Sequence, residues 1–188
     1  MRMQPQEIIK HLEADNSKLA KQAILLEAMQ EGLDEFFEGV TMALDPMVTF
    51  GVKQVPERSD VLTGQGLSWD NFKVLAEQLR NRELTGHAAR DAIELAMGVA
   101  TTEQWNGFYR RVLIKDLRCG MSEKTVNKVA KDFPQYAVPV FTCSLAHDSA
   151  KHEKKMVGKK QIEIKLDGVR VITIIQGNKV EMFSRNGK

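Results

Sequence analysis

Cysteines and long apolar runs are both scarce in this chain of 188 residues, which contains only Cys119 and Cys143 as thiols. Two cysteines are too few for a disulfide framework, so the sequence predicts free thiols in a reducing compartment. No run approaches the roughly 18 consecutive apolar residues that a membrane-spanning helix requires. The first residues, MRMQPQEIIKHLEAD, lack the apolar centre of a signal peptide, and we therefore expect a cytoplasmic protein.

The net charge of the chain is only +2, but it is unevenly distributed. Residues 1–104 contain 10 basic and 17 acidic residues, whereas residues 105–131 contain seven Lys or Arg and two acids. Residues 151–170 contain a further seven basic and three acidic residues. Such segments are typical either of solvated helix faces or of surfaces that bind a polyanion.

Apolar residues recur with helical spacing up to about residue 133. The first stripe predicts one long early helix and comprises Leu25, Met29, Leu33, Phe36 and Val40. Residues 45–67 contain several Pro and Gly and predict a loop. Further helices are predicted to begin at Ser68, at Thr85 and at Thr101 or Thr102, because Ser and Thr are favoured N-caps. The pattern predicts an all-helical domain over residues 1–135.

The basic segment at residues 105–131 predicts a helix, a tight turn at Gly120, and a second helix that begins at Ser122. Each helix would carry basic residues at i, i+4 and i+7, which share one face. The two stripes comprise Arg111, Lys115 and Arg118 on the first helix and Lys124, Lys128 and Lys131 on the second. Because the apolar residues fall on the opposite faces, we expect both stripes to face outward and to contact phosphates.

Beyond the helices, residues 136–160 are polar and predict a linker. The apolar period then changes to two, so residues 161–188 predict short antiparallel strands, with a hairpin turn at Gly177 and Asn178. Three short strands bury too little surface for an independent sheet, so we expect this domain to be truncated. The predicted fold class is mainly α: an all-helical domain followed by a few antiparallel strands.

One predicted strand carries a lysine between two carboxylates. The pleat would place Glu163, Lys165 and Asp167 on one face of the strand. A half-exposed strand with weak ion pairs explains this pattern without any function. A catalytic site is the alternative.

The same segment carries a family resemblance. EIKLDGVR, at residues 163–170, resembles the K-x-D-G-x-R signature of covalent nucleotidyltransferases, which include ATP-dependent DNA ligases, RNA ligases and messenger-RNA capping enzymes. FSRNGK, at residues 183–188, resembles the second ligase motif. The segments FGV, LRNRELTGHAA and IKDLRCGMSEKTVNKV resemble the helical DNA-binding domain of ligases of the T-even bacteriophage type, a domain that capping enzymes lack. The chain thus resembles an ATP-dependent DNA ligase over essentially its whole length.

This resemblance implies that Lys165 attacks the α-phosphate of ATP and retains AMP, while magnesium offsets phosphate charge. It places Glu163, Asp167, Gly168, Arg170 and Arg185 around the nucleotide, and Ser184 with Arg185 at the 5′-phosphate of a nick. The implied partner is double-stranded DNA with a nick, sealed in replication, repair or recombination. The DNA-binding residues expected in the helical domain are Thr85, Gly86, Arg111, Lys115, Arg118, Lys124, Thr125 and Lys128.

Other interpretations stay open at this point. The later ligase motifs have no counterpart, so we expect the 188-residue chain alone to be inactive. A non-catalytic module that binds duplex DNA is the main alternative, and an RNA ligase or capping-type enzyme is a weaker one. A zinc site formed by Cys119, Cys143, His147 and His152 is disfavoured, because no closely spaced cysteine pair anchors it.

Overall fold

Helices dominate the computed structural model, which describes residues 2–59, 64–143, 147–164 and 167–184. The chain divides into two compact units, Met1–Val140 and Phe141–Lys188. The first unit contains α1 (Pro5–Ala14), α2 (Lys18–Gln30), α3 (Asp34–Leu44), α4 (Trp69–Arg80), α5 (Gly86–Val99), α6 (Thr102–Gln104), α7 (Arg110–Leu113) and α8 (Glu123–Val129). Trp105–Tyr109, between α6 and α7, is π-helical. The predicted mainly α fold is confirmed, and no described helix is long and apolar enough to cross a membrane.

The single long helix predicted at the start of the chain is wrong, because α2 and α3 are separate helices. Gly32 adopts a left-handed φ of 65°, and its N–H donates to the carbonyl of Met29 at 3.2 Å. The N–H of Leu33 donates to the carbonyl of Ala28 at 3.1 Å, which completes a Schellman motif that ends α2. All five residues of the predicted apolar stripe are nevertheless buried, since their spacing continues across the break.

The predicted helix starts are confirmed. The Ser68 hydroxyl accepts a hydrogen bond from the Asn71 N–H at 3.3 Å, and the Thr101 hydroxyl accepts one from the Gln104 N–H at 3.1 Å. Thr85 and Ser122 occupy the N-cap positions of α5 and α8 without a side-chain cap bond. These four helix starts were therefore predictable from the preference of Ser and Thr for the N-cap position.

The ends of the two basic helices differ from the prediction. The first ends at Leu113 in α7 rather than near Gly120. Lys115 and Arg118 follow it with left-handed φ values of 58° and 52°, so they do not continue a helical stripe. α8 ends at Val129, so Lys131, the last residue of the second predicted stripe, lies beyond the helix. The connection is a loop with several left-handed residues in place of one tight turn.

The core of the first unit is built around the π-helical turn. Trp105 and Phe108 are fully buried, and the Phe72 and Tyr109 rings stack 4.4 Å apart. The Tyr109 hydroxyl donates to the carbonyl of Leu67 at 2.7 Å, and burial raises the pKa of Tyr109 to about 12. The indole N–H of Trp105 donates to the carbonyl of Pro56 at 2.9 Å. This bond fixes the loop around residues 50–58 to the core.

Close packing at Gly39 gives a testable consequence. A Cβ added there would overlap the buried Phe108 ring, whereas a Cβ built on Gly98 meets no described atom within 4 Å. We expect Gly39→Ala to lower the free energy of unfolding by roughly 1–3 kcal/mol through overpacking. The matched change Gly98→Ala, in α5, should raise it by about 0.5–1 kcal/mol because it reduces backbone entropy loss. Urea denaturation followed by far-UV circular dichroism measures both, and equal effects would contradict this packing.

The described part of the second unit contains a hairpin of β1 (Val171–Gln176) and β2 (Lys179–Ser184). The strands are antiparallel, with Val171 opposite Ser184 and Gln176 opposite Lys179. Gly177 has a left-handed φ of 59°, so the hairpin predicted at this turn is confirmed. The strand predicted around residues 162–167 is wrong for the described residues there, and the Ile162 side chain is 94% exposed.

Candidate functional site

A cleft of about 950 Å³ lies in the helical unit between the loop at residues 51–56 and α5. Four basic side chains line it, and the single lining acid is Glu94 among the residues that the structure describes. The four are Lys53, Arg90, Arg110 and Arg118. Four cations against one acid give the wall an excess of positive charge, and a cleft with such an excess concentrates anions. It therefore suits an anion, and Gly86 also lies on its wall.

Two arginines of the cleft share one carboxylate oxygen. Glu57 Oε1 lies 3.0 Å from Arg110 Nη1 and 3.4 Å from Arg118 Nη1. Arg110 also donates from Nε to the carbonyl of Val55 at 2.8 Å. Its side chain is 14% exposed, whereas the side chains of Arg118 and Glu57 are 49% and 59% exposed. The carboxylate thus sits at the solvent-facing edge of a two-guanidinium site.

Arg111 and Lys115, two residues expected to contact DNA, make contacts within the protein. Arg111 Nη1 lies 2.6 Å from Glu13 Oε1 and donates to the carbonyl of Leu117 at 3.0 Å. Lys115 Nζ donates to the carbonyls of Met42 and Asp45 at 2.8 Å each. Those carbonyls belong to the last turn and C-cap of α3, which lack partners within their own helix. Both cations therefore help to hold the loop after α7, and their DNA contacts stay a prediction.

A third cation holds the same loop from inside. Lys21 is buried, and its ammonium donates to the carbonyl of Leu12 at 2.9 Å and to that of Cys119. Burial raises the pKa of the neighbouring Cys119 thiol, although its backbone hydrogen bond with Met121 opposes this. A buried thiol of this kind is a poor nucleophile. Cys119 thus belongs to the packing of the loop.

α8 presents two of the expected DNA-binding residues to solvent. Lys124 and Lys128 are exposed and lie at i and i+4 on one face of the helix. Thr125 is buried, and its hydroxyl lies 3.4 Å from the Ser122 hydroxyl. Of the expected residues, Gly86 and Arg118 come together on the cleft wall. Thr85 is exposed at the N-cap of α5.

The residues of the nucleotidyltransferase-like motif are only partly described. Lys165 and Arg185 lie outside the described residues. Glu163, Asp167 and Arg170 are exposed, with Gln161 Nε2 donating to Glu163 Oε1 at 2.5 Å and Arg170 Nη1 lying 3.8 Å from Cys143 Sγ. Ser184 is half-buried at the end of β2.

The described motif residues fit a nucleotide in their chemistry. Arg170 supplies a cation for phosphate and Glu163 an acceptor for hydroxyl or amine groups. Gly168 is exposed, and a Cβ built on it meets no described atom within 4 Å. Magnesium is commonly held by one or two carboxylates together with substrate phosphates, and Glu163 and Asp167 are exposed carboxylates of that kind. Among the described residues, no group of three His, Cys, Asp or Glu could hold a metal ion.

Several cleft residues were missed by sequence reasoning. Lys53 and Glu57 lie in the segment that the sequence predicted only as a loop. Arg90 is the single Lys or Arg of α5, so it formed no basic stripe that would have indicated a binding surface. Arg110 immediately precedes Arg111, and a predicted basic stripe that began one residue earlier would have included it. The excess of basic residues at 105–131 was the one available signal.

The fold and the cleft define a helical module with a cation-walled surface, followed by a β-hairpin unit. Two similar solved structures are named Pmar-Lig_PreS3 and Pmar-Lig_Pre, at 67% and 66% sequence identity and a TM-score of 0.82 each. All of this chain is covered in both comparisons, but it spans only 43% of each of those chains. Both names carry the abbreviation Lig, for ligase, and in that sense this chain is ligase-like. No family model and no curated protein matches it.

Proposed function

We propose that this chain is part of an ATP-dependent DNA ligase, in which the helical unit binds nicked duplex DNA and Lys165 accepts AMP. The observation that carries the proposal is its similarity, across all of its residues, to two structures named as ligases. The K-x-D-G-x-R motif at residues 165–170 lies within that similarity. Because the chain spans 43% of those structures, the activity is proposed for the whole enzyme.

Lys165 acts as the nucleophile in this proposal. Its neutral amine forms a bond to the α-phosphorus of ATP, the bond to the bridging oxygen of the β-phosphate breaks, and pyrophosphate leaves. The amine must lose a proton first, and the carboxylates of Glu163 and Asp167 oppose that loss because they stabilise the ammonium. Other cations must therefore approach Lys165 in the complete enzyme. Magnesium would supply such charge when it is bound.

Arg170 and Glu163 orient the nucleotide, Asp167 and Gly168 shape the turn beside Lys165, and Ser184 with Arg185 meets the 5′-phosphate. AMP then passes from Lys165 to the 5′-phosphate of the nick. The 3′-hydroxyl attacks that phosphate, the new phosphodiester bond forms, and AMP leaves. The exposure of Glu163 and Arg170 supports a site that further polypeptide closes over the nucleotide.

In this proposal the helical unit binds the duplex. A ligase accepts any sequence, so its contacts go to phosphate and sugar rather than to base edges. The exposed Lys124 and Lys128 on α8 and the cationic cleft that contains Arg118 suit this role. Counterion release then makes the affinity fall steeply with salt.

We expect the double change Lys124→Gln with Lys128→Gln to weaken binding of a nicked duplex and to flatten its salt dependence. Two lost phosphate contacts lower the slope of log K against log salt by up to about 1.8. Fluorescence anisotropy of a labelled nicked duplex, titrated with the chain at several salt concentrations, measures both quantities.

A matched control removes the same charge elsewhere, through Lys10→Gln with Arg80→Gln, two exposed residues on α1 and α4. These changes should leave the slope nearly unaltered, because neither residue lies on α8 or on the cleft. A chain that does not bind nicked DNA, or that prefers nicked duplex RNA, would contradict the proposal. Salt-dependent DNA binding in a whole enzyme that never takes label from ATP would favour a non-catalytic DNA-binding module.

A further inference from the structure

Glu57 lies where an external anion would be expected. One carboxylate oxygen receives two guanidinium groups, from Arg110 at 3.0 Å and Arg118 at 3.4 Å. Guanidinium groups are matched in geometry to carboxylate and phosphate alike. The pair lies on the wall of the 950 Å³ cleft, where Lys53 and Arg90 add two more cations. Glu57 itself follows the lining residue Pro56 and is 59% exposed.

We propose that Glu57 is a built-in competitor of DNA: its carboxylate fills a backbone-phosphate site formed by Arg110 and Arg118, and a phosphate of the duplex displaces it. This inference rests on the proposed function, because it names how the DNA-binding surface of the helical unit is regulated. Glu57 is a regulatory residue, and the two arginines are the binding residues.

The side chain of Arg110 and the backbone of Arg118 are held in place independently of Glu57. Arg110 is anchored through its Nε to the carbonyl of Val55, so its Nη groups point to the same site when the carboxylate leaves. Arg118 has a left-handed φ of 52°, and its N–H donates to Asp116 Oδ1 at 2.9 Å. A residue other than glycine adopts this conformation at a cost in free energy, which the surrounding loop must offset. The guanidinium of Arg110 and the backbone of Arg118 are thus preorganised.

The Glu57 carboxylate is held more weakly than the Arg110 guanidinium. Exposed ion pairs contribute little to stability, because water and salt screen them and the long side chains lose entropy. A backbone phosphate offers two non-bridging oxygens and releases condensed counterions when it is neutralised, so it competes well at low salt. As Glu57 departs, its own charge stays nearby and repels the duplex. The presence of Glu57 therefore lowers the affinity of the helical unit for duplex DNA and makes that affinity less dependent on salt.

The test compares Glu57→Gln with the unaltered 188-residue chain on a labelled nicked duplex, by fluorescence anisotropy across a salt series. We expect Glu57→Gln to bind roughly two- to fivefold more tightly, in line with the strength of one exposed ion pair. The slope of log K against log salt should become steeper by up to about 1. Glu77→Gln, an exposed acid on α4 outside the cleft, makes the same charge change and should alter neither.

A double-mutant cycle distinguishes an effect of Glu57 on the Arg110 and Arg118 site from a general effect of its charge on DNA binding. In an Arg118→Ala background, the gain from Glu57→Gln should shrink, because half of the phosphate site is gone. An equal gain in both backgrounds, or no gain at all while the unaltered chain binds DNA, would overturn the inference and leave the proposed function standing. If the unaltered chain does not bind DNA, both the inference and the proposed function are overturned. A parallel titration with inorganic pyrophosphate identifies a free-phosphate site, and Glu57-dependent binding there with unchanged duplex affinity would also overturn the inference.

Discussion

Lys165→Ala is expected to abolish covalent labelling by α-labelled ATP, by at least about a thousandfold, because the nucleophile that bonds to phosphorus is removed. The sharpest form of the experiment uses a chimera, in which residues 1–188 replace the matching segment of Pmar-Lig_PreS3. The remaining part of that protein, 57% of its length, then supplies whatever else the site requires. At 67% identity, most contacts between the two parts should be preserved.

The control for this experiment is Lys159→Ala, which removes an exposed lysine six positions earlier in the same unit. Labelling should survive it, and should require ATP rather than GTP. The 188-residue chain by itself is expected to take no label, since its described motif residues are exposed to solvent. Labelling of the Lys165→Ala chimera at the level of the parent would eliminate the proposed chemistry. Labelling of the isolated chain would contradict only the expectation that it is inactive alone.

The helical stretches were predictable where a local signal coincided with the tertiary structure. Ser68 and Thr101 cap their helices through their own hydroxyls, an interaction that depends on residues three positions apart. The burial of Phe36 and Val40 follows from apolar spacing alone. The break at Gly32 was missed because the apolar period runs through it, and only the left-handed φ ends the helix.

The proposed DNA-binding surface was less predictable, because its composition depends on tertiary contacts. The stripe of Arg111, Lys115 and Arg118 assumes a helix that continues to Gly120, whereas the helix ends at Leu113. Lys115 is drawn to the carbonyls at the end of α3, about seventy residues away in sequence. Nothing in the local sequence signals such a distant acceptor. The arrangement of Glu57 with Arg110 is equally non-local.

The motif at residues 163–170 shows a different limit. Its residues predict a chemistry through resemblance, yet the alternation of IEIKLD did not give a strand in the described positions. Strand formation depends on pairing partners as much as on period. The hairpin prediction at Gly177 was confirmed because only two residues separate the paired strands, and this short turn sets their register.

Trp105→Ala is expected to lower the free energy of unfolding by about 3–5 kcal/mol, the range for deletion of a large buried aromatic side chain. Trp105 is fully buried, and its indole N–H is bonded to the carbonyl of Pro56, so the change leaves both a cavity and an unpaired carbonyl. Since small domains are stable by only about 5–15 kcal/mol, urea denaturation should show a large shift of the midpoint.

The same substitution links the core to the cleft, because Pro56 immediately precedes Glu57 and the loop lines the cationic wall. Trp105→Phe keeps most of the apolar volume but loses the hydrogen bond, so it should cost about 1–2 kcal/mol and chiefly loosen the loop. Duplex affinity of this folded variant should then change more than that of Leu95→Ala, which alters an exposed side chain on α5 and should stay within about 0.5 kcal/mol of the parent in stability. If Trp105→Phe binds duplex DNA with the affinity and salt dependence of the parent, the position of the loop does not control the phosphate site. The two arginines alone would then determine the affinity of that site for DNA.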